Sequence, residues 1–354
     1  MTEFQAYKNT NFYVPIRYKI QEILGRGSYG VVCVAIDTKS SDPVKLAVKK
    51  ICKILQREIL LRRAIRELKL MRFFRSHRNI VSLVDVYLVA VSPYEGLYCF
   101  QEIMDYDLAR VLYSVVQFLE FHIRNFLYQI LCGLKYIHLA NVVHRDLKPG
   151  NILVSSRGVL KICDFGLARA ISLDALSRTD EPITNYVATR WYRAPELILR
   201  ATHYGKEVDM WAVGCILGEL YGRQPLMPGK LSVHQLHEII KFLGSPPLHI
   251  SIRRDWDLPG GERLGVPWAE VYPFASPETH DLLSQLLKWE PSARLDVEQA
   301  IAHRLFTKTR DISCEPVCRR LFSFGREEHE SDLDRLHALL KEEVAAFQTE
   351  RGKY

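Results

Sequence analysis

The first stretch able to do chemistry is Gly25-Arg26-Gly27-Ser28-Tyr29-Gly30-Val31-Val32, a G-x-G-x-x-G-x-V pattern. Dinucleotide-binding turns share the glycine spacing, but they open a helix. Here the glycines run straight into a β-branched strand, which favours a hairpin whose backbone N–H groups approach triphosphate oxygens. A plain glycine hairpin is the bland alternative. Two charges weigh against it. Lys49 ends the strand Leu46-Ala47-Val48-Lys49, and Glu67 lies on the next helix in Arg66-Glu67-Leu68-Lys69. Singly, each reads as a solvated surface charge; their order and separation after a glycine loop argue otherwise.

Farther on, His144-Arg145-Asp146-Leu147-Lys148-Pro149-Gly150-Asn151 matches H-R-D-L-x-x-x-N at every fixed position. Asp164-Phe165-Gly166 follows, and Ala194-Pro195-Glu196 closes the intervening loop. On these motifs the chain resembles the eukaryotic protein kinase family from about Tyr18 to Phe306. The resemblance implies an α+β, bilobal fold: a small strand-rich lobe over 18–104 with one key helix, then a larger helical lobe over 105–306. It implies ATP and magnesium. Lys49 would hold the α- and β-phosphates, with Glu67 orienting it. Asp146 would accept or orient the proton of a substrate hydroxyl. Lys148 would stabilise the transferring phosphoryl, whose loose transition state mainly needs positioning and charge neutralisation. Asn151 and Asp164 would hold magnesium, a hard cation suited to oxygen ligands. Leu24, Gly25, Gly27, Gly30, Val32, Ala47 and Leu153 would enclose the nucleotide, Gln101, Glu102 and Met104 would meet adenine, and Asp107 the ribose. His144 is expected to pack inside and Asp209 to anchor the catalytic loop. Glu196 and Arg294 are expected to form a buried ion pair, and Cys163, directly before Asp164, reads either as a reachable thiol at the ATP site or, the favoured alternative, as a small buried hydrophobe.

Ile183-Thr184-Asn185-Tyr186-Val187-Ala188-Thr189-Arg190-Trp191-Tyr192-Arg193 resembles the dual-phosphorylation lip of the mitogen-activated protein (MAP) kinases. A phosphate on Thr184 brings about −1.5 to −2 charges and needs a basic pocket. Arg66, Arg145 and Arg169 hold the family's positions for it, with Arg190 and Arg193 for phospho-Tyr186. Before phosphorylation these arginines are expected to lie near one another without a counter-ion, favouring a less active arrangement. The lip also implies a preference for Ser or Thr followed by proline. Phe322-Ser323-Phe324 and a helix from Asp332 to Phe347, with an apolar face of Leu336, Leu339, Leu340, Val344 and Phe347, resemble the family's C-terminal extension. That extension, over 307–354, is expected to pack back on the kinase domain.

The central Asn185, with the stretches Arg57–Leu68 and Ser92–Cys99, is most similar to the sporulation branch of yeast MAP kinases. This implies a role in meiosis and spore wall assembly, with another fungal MAP kinase pathway as the alternative. One departure concerns the acidic docking patch of the family. In the matching stretch, Asp311 to Arg320, Cys314 replaces an expected acid and two arginines follow. Attraction to basic docking peptides should be weakened. Tyr186 is therefore expected to be phosphorylated by the kinase itself, with another enzyme acting on Thr184.

The elements that must position these residues are legible from periodicity. Val31–Ile36 and Lys45–Val48 read as strands around the turn Ser40-Ser41-Asp42-Pro43, and Arg57–Phe74 as a helix. Phe121–His138, Val208–Tyr221 and Thr279–Trp289 read as further helices. Residues 1–17 form an N-terminal extension, and Pro246–Phe274, with Pro259-Gly260-Gly261, reads as a surface insertion. The 354 residues are 48% hydrophobic and 25% charged, which excludes a disordered chain, a collagen-like repeat and a disulfide-stapled miniprotein. A net charge of +7 is thin over this length and gives no ground for nucleic-acid binding. Eight cysteines without C-x-x-C spacing imply reduced thiols in a cytoplasmic and nuclear protein. The first residues lack the features of a signal peptide, and no apolar run is long enough to insert in a membrane. A monomer is expected, its partners being protein substrates with Ser/Thr-Pro sites and an upstream activating kinase or activator protein. The competing reading is a catalytically silent kinase-fold scaffold. Intact Lys49, Glu67, Asp146, Asn151 and Asp164 argue against it.

Overall fold

The computed structural model describes residues 2–27, 30–39, 42–171, 190–199, 201, 204–250 and 261–351. Thr184 and Tyr186 lie outside the described residues, as do Ser28, Tyr29 and 251–260 of the insertion. The chain divides into two compact units: Met1–Asp105 with Asp164–Leu167 and Phe324–Tyr354, and Tyr106–Cys163 with Ala168–Ser323. The first is built on a β-sheet and the second on helices, the division expected of a bilobal α+β chain.

In the first unit β1 (Phe4–Tyr7) and β2 (Phe12–Pro15) form an antiparallel hairpin. The sequence marks residues 1–17 only as an N-terminal extension. Five strands follow: β3 (Tyr18–Gly27), β4 (Gly30–Asp37), β5 (Val44–Ile51), β6 (Leu83–Val89) and β7 (Gly96–Glu102), in the order β3-β4-β5-β7-β6. Alternation places Cys33, Ala35, Leu46, Val48, Tyr98 and Phe100 on one face, where they pack with Phe12, Val14, Tyr18 and Ile20. Gly27 pairs with Gly30 at the tip of the β3–β4 hairpin. A Cβ on Gly30 would lie 1.8 Å from the Lys50 carbonyl oxygen, so only glycine lets β4 begin this close to β5. Helix α1 (Glu58–Phe73) buries Leu61, Ala64, Ile65, Leu68 and Met71, a three-four spacing along one face.

The second unit begins with β8 (Tyr106–Asp107), α2 (Leu108–Leu112) and α3 (Glu120–Leu139). The short strands β9 (Val142–Val143), β10 (Ile152–Val154), β11 (Leu160–Ile162) and β12 (Arg169–Ala170) follow, pairing as β11-β10-β8 and β12-β9. Then come α4 (Pro195–Ile198), α5 (Glu207–Gly222), α6 (Ser232–Leu243), α7 (Trp268–Val271), α8 (Pro277–Leu286) and α9 (Val297–Ile301). Every residue of α5 from Val208 to Tyr221 is buried, so it runs through the unit's core rather than along its surface. Helix α8 starts two residues earlier than periodicity suggests, because Ser276 caps the Thr279 N–H and Pro277 suits the first turn. Part of the expected surface insertion is anchored. Trp268 is buried and stacks on Phe242 at 6.1 Å and Tyr272 at 6.4 Å.

Helix α10 (Leu333–Arg351) belongs to the first unit, where it packs on α1 and β6. It buries Leu336, Leu340, Val344 and Phe347, and Leu339 stands at the edge of that face. No described helix is long and apolar enough to cross a membrane.

Candidate active site

The first unit contributes a charged cluster built on its sheet and α1. Strand register sets Val32 opposite Lys49 and Ala47 opposite Gln101. The two-residue period then sends Ala47 and Lys49 to one face. Lys49 Nζ donates to Glu67 Oε1 at 2.6 Å. Burial alone would lower the Lys49 pKa; the carboxylates of Glu67 and Asp164 outweigh it and hold the ammonium charged well above its ordinary range. Asp164 is exposed, with φ at 65°, a left-handed conformation that Asp adopts more readily than most residues. Its Oδ1 accepts from the Gly166 N–H at 3.3 Å. Beside it, Phe165 is fully buried and its ring lies 5.5 Å from that of Phe74, just past the end of α1. Gln101 Nε2 donates to Met71 Sδ at 3.1 Å, and Glu102 Oε1 accepts from the Ser82 N–H at 2.7 Å. These two side chains are turned to structural partners. Leu24 is exposed and Gly25 pairs with Val32, while Met104 is half-buried.

The second unit contributes the catalytic-loop cluster. Lys148 Nζ donates to Asp146 Oδ2 at 2.7 Å. Asn151 Nδ2 donates to the same oxygen at 2.9 Å and to the Asp146 carbonyl at 2.8 Å. A carboxylate, an ammonium and a carboxamide thus form one network within six residues. Leu153 pairs with Asp107 across β10 and β8. The Asp107 side chain caps α2 by accepting from the Arg110 N–H at 2.8 Å.

Buried polar groups hold that loop. Asp209 Oδ2 accepts from the His144 N–H at 2.8 Å and Oδ1 from the Arg145 N–H at 2.8 Å. His138 Nε2 lies 2.9 Å from Asp209 Oδ2. Burial would raise the Asp209 pKa, but these hydrogen bonds and the nearby histidines win and hold it below the usual range. Arg145 itself sits at φ 68°. His144 is fully buried, its Nε2 3.0 Å from the Cys163 carbonyl. Arg294 is bidentate to Glu196 at 2.6 and 2.8 Å and lies over the Trp211 ring. Sequence reasoning passed over His138, whose place on the buried stripe of α3 looks like core. It also passed over Glu219, a fully buried acid that accepts from Tyr192 at 2.5 Å and Tyr113 at 2.7 Å. Burial pushes the Glu219 carboxyl up.

Two expectations need correction. Cys163 is only partly buried, because it precedes the exposed Asp164. Arg66 does not lack a counter-ion: its Nη2 donates to Glu328 Oε1 at 2.8 Å. No sequence signal marks Glu328, since its partner is on a helix far back in the chain. The other four expected pocket arginines fall in the second unit. Arg145 lies 5.0 Å over the Tyr204 ring, and Arg169 is on β12. Burial, with Arg190 nearby, lowers the Arg193 pKa.

The protein kinase domain family matches residues 18–306. The chain is 51% identical to the sporulation-specific mitogen-activated protein kinase SMK1 of Saccharomyces cerevisiae over 95% of its own length and 90% of that protein. It is 43% identical to the mitogen-activated protein kinase spm1 of Schizosaccharomyces pombe, over 96% and 81% of the two chains. Identity to the mitogen-activated protein kinase SLT2/MPK1 of Saccharomyces cerevisiae is 40%, over 96% and 71%. Motifs, fold and relatives agree that the chain belongs to the protein kinase family, among the mitogen-activated protein kinases, and is a protein-serine/threonine kinase.

Proposed function

We propose that the protein is an ATP- and magnesium-dependent, proline-directed kinase, switched on by phosphorylation of Thr184 and Tyr186 and acting in meiosis and spore wall assembly. The observation that carries the chemistry is the Asp146–Lys148–Asn151 network, fixed by Asp209. The Asp146 carboxylate orients the acceptor hydroxyl and takes up its proton as that oxygen bonds to the γ-phosphorus, while the γ-phosphorus–oxygen bond to ADP breaks and ADP leaves with the electron pair. Lys148, already paired with Asp146, sets its ammonium against charge on the moving phosphoryl. Lys49, kept protonated by Glu67, grips the α- and β-phosphates.

Asn151 and Asp164, each within its own unit, carry oxygen donors of the kind that a hard cation takes. The Asn151 Nδ2 is spent on Asp146, which leaves Oδ1 as the acceptor that would hold a metal, and Asp164 is exposed. Magnesium held by these residues would supply positive charge against that of the nucleotide phosphates. By resemblance to the family, Ala47, Val32 and Leu153 are read as nucleotide contacts, and the sequence Val187–Arg193, of which 187–189 lie outside the described residues, is read as giving a preference for proline after the acceptor. The name of the relative that is 51% identical supports the sporulation role. Self-phosphorylation of Tyr186, a monomeric state and residence in cytoplasm and nucleus complete the reading.

The test is phosphate transfer to a generic basic protein, which Lys49→Arg should abolish. Peptides with proline after the acceptor should react far better than their alanine counterparts. Transfer by Lys49→Arg at the wild-type rate would overturn the assignment.

A further inference from the structure

The C-terminal segment makes charged contacts on α1 that the chemistry above leaves unused. Arg66 is 3% exposed and adjoins Glu67 on the helix. Its Nε and Nη2 donate to Glu328 Oε1 at 3.2 and 2.8 Å, and the Phe324 ring lies 5.4 Å from its guanidinium carbon. Less than a turn on, Lys69 Nζ donates to Glu327 Oε1 at 2.6 Å. Burial would raise the Glu327 carboxyl, but Lys69 and the Gly325 N–H hold it down as the charged form. One turn back, Arg62 Nη1 donates to the Glu328 carbonyl at 3.4 Å.

Residues 62, 66 and 69 follow four-three spacing, so they form one stripe of α1. Glu67 is one residue, about 100° of rotation, away from that stripe. A helix held by charged bonds along one stripe is fixed in rotation about its own axis. That rotation decides whether Glu67 meets Lys49. Arg66 is nearly inaccessible, so losing two charge-assisted bonds there is far more disruptive than losing an exposed pair.

We infer that Glu328 is a positioning residue for phosphoryl transfer: through Arg66 its carboxylate sets the rotation of α1 and so the 2.6 Å contact between Glu67 and Lys49. The inference rests on the reading of Lys49 as the phosphate-gripping residue. Its new content is the remote acid that keeps that lysine in place.

The test uses the full chain, dephosphorylated by a phosphatase so that all variants are compared by the basal transfer of the unswitched form, as wild type, Glu328→Gln, Glu328→Asp and Glu350→Gln. Glu350 is the control: it pairs with Arg72 at 3.4 Å and is half exposed. Steady-state kinetics on a basic protein, hydrogen exchange of residues 58–73 against 120–139, and melting are measured. Glu328→Gln should lower kcat/KM for ATP on the order of tenfold. It should speed exchange in 58–73 only. Glu328→Asp should recover most of both, and Glu350→Gln should match wild type. Unchanged kinetics in Glu328→Gln overturn the inference, whether or not exchange changes. Equal impairment in the Asp and Gln variants does so too, because charge would not then be what matters. Wild-type activity in Lys49→Arg would instead strike the reading of Lys49, a result visible apart from the exchange data.

Discussion

The Asp209 carboxylate lies 2.9 Å from the His138 ring while accepting the main-chain N–H groups of His144 and Arg145. One buried acid on α5 therefore fixes the stretch that leads into Asp146, and it works only while ionised. Its folded pKa is depressed below the ordinary 3.8. The stability it adds is full above that unfolded value and is lost as pH falls through the folded one. Asp209→Asn should cost about 1–3 kcal/mol at neutral pH. The gap to wild type should shrink as urea titrations are carried to about pH 3. A gap independent of pH would mean that the charge is not what holds the loop.

Asp146→Asn should bind ATP almost as well as wild type and transfer phosphate about 10²–10⁴-fold more slowly. Nucleotide titration and single-turnover kinetics on the same preparation separate the two effects. A folded variant with near-normal turnover contradicts the role given to this carboxylate.

Arg294→Met, which leaves Glu196 buried without its bidentate partner, should lose about 3–5 kcal/mol of stability. The double variant Arg294→Met/Glu196→Leu should recover a good part of it, since an apolar pair avoids desolvating charge. Urea denaturation of the three proteins measures both numbers.

Docking should respond to position 314. Glu315, the acid next to Cys314, is buried and accepts from Arg310 at 2.8 Å and Lys135 at 3.0 Å. Burial would raise its pKa, but those cations hold it ionised and consume its charge internally. Asp311 caps the Ser313 N–H at 3.0 Å. The stretch therefore offers a basic peptide even less than its composition suggests. Cys314→Asp should speed association of a lysine- and arginine-rich peptide several-fold at low salt, the gain fading towards about 1 M. Stopped-flow traces with identical rates for both proteins would rule this out.

What the sequence disclosed, and what it hid, divides by the distance over which information must travel. Lys49, Asp146 and Asn151 were legible because their motifs are local and their chemistry leaves little freedom of residue type. Helix α1 was legible because Ala64, Leu68 and Met71 share a face, although Ile59, which the periodicity groups with them, is exposed. The β1–β2 hairpin was hidden because each strand is four residues long, too short for alternation to stand out. Glu328 was hidden because an acid in a polar segment looks solvated until its arginine is found. Glu219 was hidden inside the apolar run of α5, where two tyrosine hydroxyls from distant segments satisfy it.

The small unit is assembled from the two ends of the chain, with α10 lying on α1 and β6. During translation its sheet and α1 leave the ribosome first, yet the helix that covers them is made only after the whole of the larger unit. At about 5–20 residues per second the interval is some tens of seconds. Throughout it, the surface that Leu336, Leu340, Val344 and Phe347 will cover is open to water and to other nascent chains. Completion of the small unit thereby waits for the whole of the larger one. A polypeptide released before α10 is made carries the motifs with that apolar strip bare, the kind of surface on which incomplete chains aggregate.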